Sequence, residues 1–162
     1  MNQTHARLSL TLSGLLACLA SICTATETLA QATKSDSKVK IASKADKAGS
    51  DGKQVVTLTL TIESGWHLYA NPVGNEDFDD NKTVVVAPPK SNLEVLKVDY
   101  PAGKVIKDKT LGDYKVYEDT ITIKAEVRRP KDNTDPIELS LKLQACNDKS
   151  CLLPATVKVK VE

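Results

Sequence analysis

The sequence predicts an all-β fold, an antiparallel β-sandwich, and three observations carry that prediction. From Val56 onward, apolar and polar residues alternate with period two in one segment after another. No stretch long enough for a helix shows the three-to-four-residue apolar spacing a helix needs. The composition, 41% hydrophobic and 27% charged over 162 residues, is that of one globular domain with a tail. Aromatic residues are only 4% of the chain, so the core has to be built from Val, Leu and Ile. Lysine plus arginine (22) balances aspartate plus glutamate (21), for a net charge of +1. That balance gives no electrostatic basis for binding nucleic acid or an anionic membrane surface.

Residues 1–32 read as an export signal. Arg7 supplies positive charge, Leu8 to Cys23 form an apolar run, and Ala30-Gln31-Ala32 offers a small-x-small cleavage site. The run is shorter than the roughly 20 residues of a membrane span. Leu15-Leu16-Ala17-Cys18 resembles a lipoprotein cleavage box, which would leave a lipid anchor on Cys18; the apolar residues that follow it argue against this. The mature chain is therefore expected in the bacterial periplasm or secreted, with no membrane span. Residues 33–53 are rich in Lys, Ser, Asp and Ala and read as a flexible linker, with a short strand at Val39 to Ala42 as the one exception.

The domain proper is expected over 54–162. Val56, Leu58, Leu60 and Ile62 alternate with threonines, the pattern of a half-buried strand. Thr83 to Val86 forms a short β-branched run ended by Pro88-Pro89, and Leu93 to Val98 follows it. Ile121, Ile123, Ala125 and Val127 give the next alternation, then Ile137, Leu139, Leu141 and Leu143, and last Val157, Val159 and Val161. About seven or eight such strands imply two packed antiparallel sheets. Two connections, Asn71 to Asn81 and Gly103 to Tyr114, are longer than a hairpin needs, and long loops on a rigid sandwich often carry function. The first holds Glu76, Asp77, Asp79 and Asp80 around the only phenylalanine, Phe78. It lacks a calcium-loop pattern and reads as a solvated acidic loop.

Chemistry concentrates in Cys146-Asn147-Asp148-Lys149-Ser150-Cys151-Leu152-Leu153-Pro154, where two thiols flank a polar turn. The spacing leaves three readings open. A structural staple over so short a ring adds only about 2 kcal/mol. A redox-active pair displayed on a loop is open to an incoming thiolate. A metal site would have only Cys146, Cys151 and His67 after export, short of the four ligands of structural zinc. No Gly-rich phosphate loop, paired-carboxylate motif or Ser-His-Asp order is present, so no cofactor is expected.

Gly65-Trp66-His67-Leu68-Tyr69, Tyr100-Pro101-Ala102-Gly103, Val116-Tyr117 and the terminal Cys-x4-Cys-Leu-Leu-Pro, in that order, resemble the N-terminal periplasmic domain of the thiol:disulfide interchange protein DsbD. The resemblance runs from about Val55 to the end of the chain. It implies an immunoglobulin-like sandwich that takes electrons from a thioredoxin-like domain and passes them to periplasmic thiol proteins. It implies Cys151 as the sulfur that forms the mixed disulfide and Cys146 as the one that resolves it. Tyr69 falls on a tyrosine lining the family's site, and His67 on a position that can also be tyrosine. A gapless match between the Pro101 and Val116 anchors puts Asp108 on an acidic residue near the cysteines and Lys107 to Gly112 on a capping loop. Thr110 and Leu111 stand where the best-studied cap has a phenylalanine, and Lys109 replaces an acid.

The implied function is thiol–disulfide exchange through Cys146 and Cys151 with thioredoxin-like and exported thiol proteins. The chain shows no multi-span region and no Cys-x-x-Cys domain, so an external reductant is expected. The alternative is a non-catalytic binding or scaffold module with a structural disulfide.

Overall fold

The computed structural model describes residues 33–161, apart from 90, 131, 132 and 134. The signal-peptide reading and the Cys18 alternative lie outside the described residues. In chain order the strands are β1 Val39–Ala45, β2 Lys53–Ile62, β3 His67–Tyr69, β4 Val84–Val86, β5 Glu94–Asp99 and β6 Lys104–Ile106. They continue as β7 Tyr114–Tyr117, β8 Thr120–Arg128, β9 Ile137–Leu143, β10 Ala145–Cys146 and β11 Ala155–Val161. All sheet pairings between them are antiparallel.

One layer is the sheet β1-β2-β8-β5. Two smaller sheets, β11-β9-β4 and β10-β3-β7-β6, supply the rest of the core, and β9 leads almost directly into β10. The alternation of β2 buries Val56, Leu58, Leu60 and Ile62, while Ile123, Ala125 and Val127 of β8 join them. Leu139, Leu141 and Leu143 of β9 face them with Leu68, Tyr117 and Ala145 of the small sheet. Each fully buried Leu or Ile stabilises the fold by roughly 1.5–3 kcal/mol relative to exposure, so this aliphatic core carries the stability. The result is the expected immunoglobulin-like antiparallel sandwich.

Within 33–53 the expected strand at Val39 to Ala42 is present and extends to Ala45, and the flexible-linker reading of the residues around it is corrected. Ser35–Lys38 forms a 3-10 turn, and β1 pairs with β2 along its whole length, from Val39↔Ile62 to Ala45↔Val56. Only the residues between β1 and β2 form a loop, a tight hairpin connection in which Gly49 donates to the Lys53 carbonyl at 2.8 Å. An edge strand buries one face and takes its order from its neighbour's backbone, so it can be polar and lysine-rich, which also guards the edge. The short β3, β6, β7 and β10 were also not expected as strands. At two to four residues each they are too short for period two to show.

Candidate functional site

β10, β3 and β7 have two faces of different use. Leu68, Ala145 and Tyr117 point into the main core. His67, Tyr69, Val116 and Cys146 occupy the alternate positions and share the opposite face. On that face Tyr69, Val73 and Cys146 form a second, separate buried cluster, with Phe78 and Tyr114 packed against it.

Cys146 and Cys151 are joined by a disulfide across a narrow hairpin, with Cα atoms 4.0 Å apart. The turn between them is built by Asn147. Its N–H donates to the Ser150 carbonyl at 2.9 Å, and its side-chain Oδ1 accepts from the N–H groups of Lys149 (2.9 Å) and Ser150 (2.8 Å). An asparagine that bonds the backbone two and three residues on is a common turn-former. The two cysteines differ sharply in access: Cys146 is 2% exposed, and Cys151 is exposed to solvent. A nucleophile approaching from solvent therefore meets Cys151 first.

The aromatic cover is a three-ring cluster. Tyr69 and Phe78 stack with centroids 5.0 Å apart, and Tyr114 lies 4.9 Å from Phe78 and 6.0 Å from Tyr69. Phe78 arrives on a 3-10 segment, Glu76–Asn81, which Asn75 caps by accepting from the Asp77 N–H. The acidic side chains of this segment face solvent while its one aromatic turns inward, so the loop is amphipathic rather than wholly solvated.

The segment expected to cap the site behaves less uniformly. Asp108 accepts from the N–H groups of Thr110 (2.8 Å) and Leu111 (2.9 Å), which holds its carboxyl below the usual range. Asp108 is half-buried, Thr110 is exposed, and Leu111 is 52% exposed. Gly112, at φ 79°, turns the chain back toward β7, and Tyr114 is the residue of this segment that packs on the Cys146 cluster. The two loops are joined where Asn75 Nδ2 donates to the Leu111 carbonyl at 2.8 Å. Phe78 and Tyr114 were not singled out as site residues from the sequence, although an isolated phenylalanine amid four acids was the available signal.

His67 is the register partner of Cys146 and is half-buried. Burial pushes its imidazole pKa below 6.5, opposed by the nearby charges of Glu118 and Asp148. Tyr69 is shifted upward, by burial first and by Tyr114 second. Among the described residues no group of three or more His, Cys, Asp or Glu side chains is placed to hold a metal ion.

The remaining motifs form the frame of the site. Tyr117 is 1% exposed, and its hydroxyl accepts from the Asn71 N–H at 3.0 Å and bonds the Pro101 carbonyl at 3.1 Å. Tyr100 accepts from the Val85 N–H at 2.9 Å. A Cβ on Gly103 would lie 2.6 Å from the Ala70 Cβ and 2.9 Å from the Lys115 Cβ, so only glycine fits there. These bonds fix where both long loops leave the sheets.

No curated protein matches the chain. Among solved structures, the N-terminal periplasmic domain of ScsB from Proteus mirabilis is 16% identical, with a TM-score of 0.51 over 75% of this chain and 46% of that one. The reduced DsbD N-terminal domain of Neisseria meningitidis is 19% identical, with a TM-score of 0.49 over 78% of this chain and 86% of that one. The family described as "Thiol:disulfide interchange protein DsbD, N-terminal" matches residues 37–162, from the 3-10 turn before β1 through β11. The chain belongs to that family.

Proposed function

We propose that this domain performs thiol–disulfide exchange at Cys146–Cys151 with thioredoxin-like and exported thiol proteins in the bacterial periplasm. The observation that carries the reading is the unequal exposure of the two sulfurs on one displayed hairpin, in a chain of this family. An incoming thiolate attacks Sγ of Cys151, the S–S bond breaks, and Cys146 leaves as a thiolate that takes a proton from water. The partner's second thiolate then attacks the mixed disulfide, releasing Cys151; the partner is oxidised and this pair reduced. Run in reverse, Cys151 attacks a target disulfide and Cys146 resolves the intermediate. Rates depend on access and on the leaving thiol, and the burial of Cys146 beneath Tyr69 and its neighbours makes Cys151 the point of entry.

The test is trapping. Cys146→Ser should accumulate mixed disulfides through Cys151 with exported proteins, whereas Cys151→Ser should not. If neither variant traps a partner and both lose the fold at ordinary temperature, the bridge is a staple and the domain a scaffold.

A further inference from the structure

The two strands that carry the cysteines do not continue in one register. Cys146 opposes Cys151, while Leu143 opposes Ala155, so the strand leaving Cys151 carries one extra residue within Leu152-Leu153-Pro154, opposite Gln144 and Ala145. Such a bulge leaves ladder groups without their regular partners. The Leu152 N–H reaches the Ala145 carbonyl at 2.9 Å, but the Leu152 carbonyl accepts from the Gln144 side chain instead of from Ala145. The Ala145 N–H, one residue before Cys146, is thus released inside the protein.

Ser35 takes it. Its Oγ accepts from the Ala145 N–H at 2.9 Å and donates to the Leu153 carbonyl at 2.7 Å, while its own N–H donates to the same carbonyl at 2.9 Å. Ser35 is fully buried, and Lys34 forms a parallel bridge with Leu153. One hydroxyl, far away in sequence, therefore spans the strand that enters Cys146 and the strand that leaves Cys151. Both its hydrogen and a lone pair are in use, a fully satisfied buried hydroxyl.

We propose that Ser35 is a positioning residue for the Cys146–Cys151 pair. When the S–S bond is broken, the Ser35 bridge still holds the two strands together. It thereby keeps the effective concentration of one thiol at the other high and makes the disulfide harder to reduce. The proposal rests on the exchange reading above and assigns the control of its redox poise. Removing the hydroxyl orphans a buried N–H at the point where the strands part, so the reduced hairpin gains freedom that the oxidised one, still cross-linked, does not.

The experiment is equilibration of the chain with thiol–disulfide buffers of known potential, with folding followed by circular dichroism. Ser35→Ala should lower the effective concentration about tenfold, which moves the potential about 30 mV less negative. Ser35→Thr, which keeps the hydroxyl, should return the potential toward the wild-type value. An unchanged or more negative potential in Ser35→Ala would make Ser35 a structural group only and overturn the proposal; with an unchanged potential the oxidised and reduced forms lose stability equally. Should Ser35→Ala fail to fold, amide exchange in the wild-type chain decides. The Ala145 N–H should stay protected after reduction, and loss of that protection on reduction overturns the bridge. Failure of the exchange reading looks different: the wild-type pair itself would resist reduction until the domain unfolds.

Discussion

His67 shows how a single side chain here is governed by its face of the sheet. It sits beside Cys146 in the ladder and stands edge-on to Tyr69, with centroids 6.2 Å apart. Burial lowers its pKa below 6.5, which favours the neutral ring in the folded state, and Glu118 and Asp148 only partly offset this. The sign follows from linkage: the unfolded chain binds the proton more readily than the folded one. The stability His67 contributes is therefore complete above 6.5 and is lost as pH falls below it toward the lower folded value. Thermal melts between about pH 7 and about pH 5 should show this loss, and His67→Gln should flatten the curve in that window. A variant with an unchanged acid dependence would mean that the imidazole does not titrate against folding. Asp108 acts in a lower range, because its two N–H bonds depress an ordinary carboxyl value of 3.8; its contribution is present above that value and lost below it.

At the scale of elements, the cover over Cys146 is shared by two segments. Glu76–Asn81 brings Phe78, and the turn before β7 brings Tyr114; Asn75 ties the two through the Leu111 carbonyl. Stacked rings add to the area they bury, and Phe78 is only half-buried, so its truncation costs less than a full core deletion. Phe78→Ala should lower stability by about 1–3 kcal/mol. It should also speed reduction of the disulfide by a small thiol, because the rings over the Cys146 cluster lose their centre. Stopped-flow reduction with dithiothreitol reads the second effect. A rate equal to wild type would show that the rings support the loop without screening the sulfurs.

Across the whole molecule, the disulfide and the main core are separate structures. Cys146 belongs to the small outer cluster, and the large cluster of β2, β8, β9 and β11 side chains does not include it. A ring closed by two cysteines five residues apart restrains the unfolded chain little. The double variant Cys146→Ser/Cys151→Ser should therefore stay folded, with a loss of about 2 kcal/mol by denaturant titration. A much larger loss would show that the bridge holds the sandwich together. The sequence by itself determined the aliphatic core, because β2, β8, β9 and β11 are long enough for period two to repeat. It also marked the cysteine hairpin, since a six-residue motif is local. Only the tertiary structure decided the full extent of β1, which runs beyond the expected Val39 to Ala42 as far as Ala45 and is ordered by pairing with β2. Likewise it alone decided the inward turn of Phe78 and the reach of Ser35 to Ala145 and Leu153. Those features depend on contacts between residues distant in the chain, where a hydroxyl fills a bulge or a ring finds a partner. Local patterning carries no information about which distant group will be there.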